Sequence, residues 1–444
     1  MDTAMLPIAV IGGGLAGCEC AFALARAGLP VTIFEMKPER FSPAHKNACL
    51  AELVCSNSFR SDAPDTAVGL LKEEMRLLGS LTMRAAENTR VPAGGALAVD
   101  RDLFAASVSA SIGQQPGITL VRREIGQLDD PLLAPFGTVV IAAGPLAGEG
   151  LAASLAGRIG REHLYFYDAI APIVDAATIN MAVAFPGARK AEDPPDYLNC
   201  PLSREEYHVF REALCGGQKT APRPFEAETH FEGCLPVETL AGRGELALAF
   251  GPLKPVGFSD PRTGKRPFAL LQLRAENANK SMFNLVGCQT KLTQPEQLRV
   301  FRLIPGLEQA EFVRFGSMHR NTFIQAPVAL RADLALLADP RFFLAGQITG
   351  VEGYAESAAS GLWLGLYLAR RAWGKSLAPP PLQSALGALL GHLRTPARNF
   401  QPSNVQYGLM PDLEQKARRA DRRAAYAKRA RAAFLAWMQA GAVF

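Results

Sequence analysis

The sequence predicts an α/β fold: a Rossmann-like dinucleotide-binding domain, split along the chain around a smaller inserted α/β domain. Three observations predict it. The stretch Ile8-Ala-Val-Ile-Gly-Gly-Gly-Leu-Ala-Gly17 reads as strand, glycine-rich turn and helix. A second apolar run, Val31-Thr-Ile-Phe-Glu35, ends on a carboxylate 18 residues after Gly17. Near the far end, Arg341-Phe-Phe-Leu-Ala-Gly-Gln-Ile-Thr-Gly350 repeats the strand–glycine pattern before a run of small residues.

Taken in order, residues 7–11 supply a short buried strand and residues 15–29 a helix. Gly12, Gly14 and Gly17 form GxGxxG. The first permits the tight turn, the second lets a pyrophosphate approach the backbone, and the third lets helix and strand pack closely. Gly13, Leu15 and Ala16 complete the loop, where the helix N-terminus offers oriented N–H groups to an anion. Glu35 is placed to accept hydrogen bonds from a ribose diol. Residues 50–79 read as mainly helical, and a helix over 102–111 is capped by Asp100. Residues 119–122 and 138–145 read as strands, the second ending in Ala-Ala-Gly, which allows close backbone approach.

From residue 165 the pattern changes to short strands and prolines, with a helix opened by the capping box Ser203-Arg-Glu-Glu206. Residues 247–250 and 268–273 read as strands around the turn at 260–265. The predicted division is 1–165 for the first part of the nucleotide domain, 166–330 for the insertion, and 331–444 for the returning segment with a basic C-terminal helix. A fold that opens on GxGxxG and returns late in this way suits FAD and has the glutathione-reductase-type arrangement. An NAD-only domain has no use for the return, and a second strand-linked GxGxxG is missing from the sequence. Gly346, Gln347, Gly350, Val351, Glu352 and Gly353 are therefore expected against the flavin ring and ribityl chain.

At 444 residues the chain calls for two packed units. A hydrophobic share of 48% beside a charged share of 20% is that of an ordinary soluble protein. No apolar run is long enough to span a bilayer, and the apolar start lacks a cleavage pattern, so a cytoplasmic protein is expected. The eight cysteines form no CxxC pair and no metal-ligand spacing, which argues against zinc or a dithiol couple. Cys18 and Cys20 read as small buried hydrophobes. The net charge of +5 is unevenly spread. Residues 413–439 read as a helix with Leu413, Ala417, Ala420, Ala424, Ala427, Phe434 and Met438 on one side. Lys416, Arg418, Arg419, Arg422, Arg423, Lys428, Arg429 and Arg431 cover the rest. A solvated face is the plain reading, yet so much charge with few acids is also the footprint of a polyanion partner.

Several blocks together resemble the folate- and FAD-dependent tRNA uracil-5-methyltransferases. They are Gly12-Gly-Gly-Leu-Ala-Gly17, Pro43-Ala-His45, Glu52-Leu-Val-Cys-Ser-Asn-Ser58, the 91–100 segment, Tyr197-Leu-Asn-Cys-Pro201, Phe231-Glu-Gly-Cys-Leu-Pro-Val-Glu238, Lys254-Pro-Val-Gly257, Met318-His-Arg-Asn-Thr322 and the 346–354 segment. The two cysteine-containing blocks, Cys-Ser-Asn-Ser and Phe-Glu-Gly-Cys, are far more specific than the glycine loop. The resemblance implies methylation of C5 of the T-loop uridine, position 54, of tRNA. It implies FAD as cofactor, with 5,10-methylenetetrahydrofolate and NAD(P)H as cosubstrates, and the T-arm as partner, with no membrane. The same chemistry on a ribosomal RNA uridine, or a wobble-uridine-modifying FAD enzyme, are the alternatives. A flavin oxidoreductase for small molecules would leave the basic helix and both cysteine blocks idle.

The chemistry demands a matching inventory. Uracil C5 is a weak nucleophile, and thiolate addition at C6 generates an enolate that attacks through C5. A base then removes the C5 proton and a hydride reduces the exocyclic methylene. The protein must offer a reactive cysteine near the flavin, a pterin platform and a basic RNA surface. A lone cysteine is more often an inert buried thiol, and a histidine on a loop is more often a surface residue. The resemblance makes Cys234, between Glu232 and Glu238, the C6 nucleophile, and gives Cys55 a supporting or proton-transfer role beside the flavin. The residues alone leave that division of labour open. The resemblance also assigns His319 and His45 to the pterin, with Arg320 near the folate glutamate or a phosphate. For RNA the candidates are Arg418, Arg419, Arg422 and Arg423, with Arg262, Lys265 and Arg266 on the predicted hairpin.

Overall fold

The computed structural model describes residues 7–160, 164–189, 194–220, 235–397, 400–414, 418 and 421–442, with backbone alone at 164–169, 318–320 and 442. Five parallel strands form the first sheet, in the order Phe342–Leu344, Thr138–Ile141, Ile8–Ile11, Val31–Glu35, Ile118–Arg122. The opening strand is central, with Ile8 opposite both Val31 and Thr138. It is buried on both faces, which is why it reads as an unbroken apolar run. The strand that returns from residue 342 adds to the same sheet, so the two ends of the sequence build one core.

Small residues let the two main helices of that core meet. Tyr354–Ala372 packs along the glycine-loop helix Leu15–Arg26. A Cβ at Gly361 would fall 2.1 Å from the Ala16 carbonyl oxygen, and one at Gly365 would fall 2.7 Å from that of Cys20. Backbone therefore packs against backbone, fixing the N-termini of both helices over the same end of the sheet.

The intervening chain forms a second, antiparallel sheet in the order Phe185–Gly187, Tyr197–Leu202, Ala269–Ala275, Met282–Leu285, Ile173–Asp175, Phe312–Arg314. It has its own apolar core, which includes the helix Arg204–Gly216. Both halves of the predicted capping box are present there: Glu206 N–H donates to Ser203 Oγ (3.2 Å), and Ser203 N–H donates to the Glu206 carboxylate (2.7 Å). Asn57 ties a small third sheet, of the strands Ser58–Ser61, Ala96–Val99 and Arg90–Val91, to this one. Wholly buried, it donates through Nδ2 to the carbonyls of Val99 and Ala275 (3.0 Å each) and accepts from Arg274 Nε at 2.9 Å.

Some local readings are corrected. Ala247–Phe250 is a helical turn, not a strand, so the turn at 260–265 has a strand on one side only and is no hairpin. A four-residue apolar run carries no period that separates the two states. Only Ala67–Leu77 within 50–79 is a long helix; residues 50–57 form a loop and Ser58–Ser61 a strand. Ala51 and Arg60 sit at positive φ (51° and 63°), which an α-helix cannot include. The described C-terminal helix is Arg422–Trp437, and its buried face is Tyr426, Ala427, Ala430, Phe434 and Trp437, with Ala424 outward. Cys18 and Cys20 are buried as expected, and burial raises both thiol pKa values. No helix among the described residues is long and apolar enough to cross a membrane.

Candidate cofactor and active site

A cleft opens where the strands Ile8–Ile11, Val31–Glu35, Thr138–Ile141 and Phe342–Leu344 end, the usual ligand position in an open parallel sheet. It is walled by residues 11–16, Glu35, residues 142–148, Gly346, Gln347, Tyr354 and Ser357.

The glycine loop divides its work among positions. Gly12 has φ +103°, and a Cβ there would lie 2.5 Å from the Ala142 carbonyl oxygen, so the turn and the strand contact both exclude a side chain. A Cβ at Gly17 would fall 1.9 Å from the Gly12 oxygen, which enforces close helix–strand packing. Gly14 differs. It is exposed, extended at φ −77°, and its Cβ position meets nothing within 4 Å. Gly14 caps the helix without a side-chain hydrogen bond, which leaves the first-turn N–H groups without that partner, and Gly14, Leu15 and Ala16 line the cleft. This cradle fits the pyrophosphate of a dinucleotide. Glu35 is fixed at the end of its strand: Oε2 accepts from Gly13 N–H (2.7 Å) and Oε1 from Lys37 N–H (2.9 Å). Each oxygen keeps a second lone pair for a ribose hydroxyl.

The return segment contributes less wall than the sequence suggested. Gly346 and Gln347 line the cleft; Gly350, Val351, Glu352 and Gly353 are not among its lining residues. A Cβ at Gly350 would press on the Phe400 ring at 2.5 Å, Val351 is fully buried, Glu352 accepts from Gln347 Nε2 at 2.6 Å, and a Cβ at Gly353 would meet Glu356. The sequence reasoning missed Tyr354 and Ser357, which take the wall positions at the start of the following helix. Tyr354 closes the quoted 346–354 block, so the signal was present there.

Cys55 is half-buried and is not itself a lining residue; it follows the lining residue Val54, and the hydroxyl of the lining residue Tyr354 accepts from its N–H at 2.7 Å. Cys234, Glu232 and Arg419 lie outside the described residues. Glu238 is described and is engaged structurally: nearly inaccessible, it accepts from Thr290 Oγ1 (2.9 Å) and Lys291 N–H (2.7 Å). His319 and Arg320 fall on the strand Ser317–Phe323, opposite Asp168 and Tyr167, where the description stops at the backbone; the loop expected there is a strand.

His45 lines the cleft, its Nδ1 2.6 Å from Ser42 Oγ. Burial, and then the positive charge of Lys37, lower the pKa of its imidazole below the ordinary 6.5. A depressed folded pKa supplies stability above pH 6.5 that is lost as the pH falls through the lowered value. A proton NMR titration is therefore expected to show the His45 ring neutral at pH 6.5; a midpoint above that would contradict this placement.

The basic residues separate into anchors and projecting charges. Arg429 donates to the carbonyls of Asp412 (2.7 Å) and Pro411 (2.5 Å), and Arg431 grips Glu73 (2.8 Å) and the Pro64 carbonyl (2.7 Å). Arg418, Arg422 and Arg423 are exposed; Arg422 lies over the Tyr426 ring at 5.7 Å and approaches an open Asp412 at 3.8 Å. Lys265 and Arg266 are exposed, whereas Arg262 is tied to Asp260 at 2.8 Å. Replacing Arg418, Arg422 and Arg423 by alanine is expected to flatten the log–log salt dependence of RNA binding by about 2 to 3. Arg431→Ala should leave that slope alone and cost no more than about 1 kcal/mol of stability. Filter binding across a salt series reads the two slopes, and thermal or urea denaturation reads the stability.

With this geometry in place, comparison with known proteins is informative. Residues 7–376 match the family model described as glucose inhibited division protein A. The chain is 63% identical over 435 residues to a methylenetetrahydrofolate–tRNA-(uracil-5-)-methyltransferase, TrmFO, of Oleidesulfovibrio alaskensis, covering 98% of each chain. It is 54% identical over 432 residues to the protein of the same name from Lawsonia intracellularis, covering 97% of each. Among solved structures it resembles GidA of Aquifex aeolicus at a TM-score of 0.66 and 17% identity, covering 98% of this chain and 75% of that one, a likeness of fold.

Proposed function

The chain belongs to the glucose inhibited division protein A family and, within it, to the methylenetetrahydrofolate–tRNA-(uracil-5-)-methyltransferases, and from that premise we propose that it methylates C5 of the T-loop uridine at position 54 of tRNA. The single observation that carries this reading is 63% identity running through 98% of both chains. The uncapped helix start facing Gly14, with Glu35 beside it, supports FAD as the resident cofactor. Bound FAD would supply the one-carbon carrier and the hydride, with methylenetetrahydrofolate as carbon donor and NAD(P)H as reductant.

The chain's own residues would do the remaining work. The Cys234 thiolate adds to C6, forming the S–C6 bond and moving the electron pair toward C5, which then bonds to the one-carbon unit. After a base takes the C5 proton, the one-carbon unit parts from its carrier as an exocyclic methylene at C5; the hydride that reduced FAD would supply converts it to methyl, C5=C6 re-forms, the S–C6 bond breaks and the thiolate leaves. Cys55, beside the cleft-lining Tyr354, supports that proton movement. Neutral His45, with His319 and Arg320, would hold the pterin and its acidic tail; Arg418, Arg419, Arg422, Arg423 and Lys265 would hold T-arm phosphates. The target base must leave its stack to reach the cleft.

The test is carbon transfer. Holoprotein, reductant and methylene-labelled folate are incubated in parallel with unmodified tRNA and ribosomal RNA transcripts. Label should enter tRNA alone; label confined to ribosomal RNA would replace the reading with its alternative.

A further inference from the structure

We propose that Arg101 and Arg314 are positioning residues for Cys55: two guanidiniums, one from each side of the junction between the sheets, hold residues 53–56 in place and keep positive charge beside the sulfur, so that the thiol ionises near neutral pH. The proposal rests on the reading that Cys55 acts beside the cofactor.

The hydrogen bonds converge on one short segment. Arg101, the first residue of the helix Arg101–Gln114, donates to the carbonyls of Leu53 (2.7 Å) and Cys55 (3.3 Å). Arg314, at the end of the strand Phe312–Arg314 in the second sheet, donates to the carbonyl between them, that of Val54, at 2.8 Å. From the opposite direction the Tyr354 hydroxyl accepts from the N–H groups of Cys55 (2.7 Å) and Ser56 (3.2 Å). Three successive carbonyls and two successive amides are thus held by three side chains far away in sequence. A loop fixed so completely has a purpose beyond chain connection, and it carries the half-buried Cys55 between the cleft-lining Val54 and the hydroxyl of the cleft-lining Tyr354.

The charges around that thiol are unbalanced. Arg101, Arg314 and Tyr354 all lie within electrostatic range of Cys55. Glu276 faces both guanidiniums and binds Arg101 Nε at 2.5 Å; its side chain is 2% exposed. It offsets one cation of two. Burial raises the Tyr354 pKa, so that group is neutral. Among the described groups two guanidiniums face one carboxylate, and that balance favours the thiolate. Because Arg314 and Glu276 belong to the second sheet, this environment is complete only when that sheet is docked.

The experiment reads thiol reactivity and needs no turnover. The holoprotein is alkylated with iodoacetamide between pH 5.5 and 10, and modification of the Cys55 peptide is timed by mass spectrometry. Wild type is expected to give a rate midpoint below the ordinary thiol value of about 8.5. Arg314→Gln should raise it by about one unit or more, and Arg314→Lys, which keeps the charge, should stay near wild type. Arg101→Gln should act in the same direction. Changed accessibility alone would scale the rate at every pH and leave the midpoint fixed. A wild-type midpoint at or above 8.5, or equal midpoints in wild type and Arg314→Gln, overturns the proposal. Normal methylation by Cys55→Ser would instead overturn the catalytic reading of Cys55, leaving the alkylation result standing.

Discussion

Cys234→Ala is expected to purify yellow, bind tRNA, and lose methyl transfer by at least ~10³-fold, equivalent to about 4 kcal/mol of barrier. Without the sulfur, nothing adds at C6, and C5 remains too weak a nucleophile to take up carbon. The variant should also fail to form a stable covalent complex with 5-fluorouracil-containing T-arm RNA, because the fluorine blocks removal of the C5 substituent only after the S–C6 bond exists. Gel retardation under denaturing conditions distinguishes the two enzymes. Full methylation by Cys234→Ala would remove that residue from the mechanism. Glu238, for its part, is already committed to Thr290 and Lys291, so Glu238→Gln should act through stability before it acts on proton transfer.

The second large effect concerns the cofactor. Gly14 is the one glycine of the GxGxxG motif whose missing side chain faces open space at a backbone conformation open to any residue. Gly14→Glu should therefore fold, yet place a carboxylate where a pyrophosphate must sit. A colourless protein with a near wild-type thermal midpoint is expected, with FAD affinity reduced at least ~10²-fold, about 3 kcal/mol. Gly12→Ala makes the contrast: with φ +103° and a Cβ 2.5 Å from a carbonyl oxygen, it should lose stability as well as flavin. Absorbance near the flavin band together with thermal denaturation separates the two. A yellow Gly14→Glu protein would mean the cofactor's phosphates lie elsewhere.

What the sequence made legible, and what it hid, follows from how far apart the interacting residues are. The glycine loop and Glu35 were legible because their constraints are local: a turn, a helix start, a strand end 22 residues from the amide it binds. The small-residue helix near the C-terminus was legible because close helix packing requires glycine at Gly361 and Gly365. The 50–57 loop was not. Its composition suits a helix, but its conformation is imposed by Tyr354, 299 residues from Cys55, and by Arg101 and Arg314. The buried side of the C-terminal helix was read only in part, Ala427 and Phe434 being buried as expected, for a similar reason. Tyr426 stacks on Tyr407 at 4.9 Å and Trp437 donates to the Ala378 carbonyl at 3.0 Å, so large aromatic residues turn inward and Ala424 is left outside. Charge counting likewise could not tell Arg431, tied to Glu73, from Arg423, which projects.

The most direct measurement is nucleoside-resolved mapping of the methyl group. A native tRNA transcript and one carrying cytidine at position 54 are each treated with holoprotein, reductant and isotopically labelled methylenetetrahydrofolate, then digested and sequenced by mass spectrometry. The account predicts labelled 5-methyluridine at position 54 of the native transcript and no label in the other. Label at a different nucleotide, or equal incorporation into both transcripts, would contradict it.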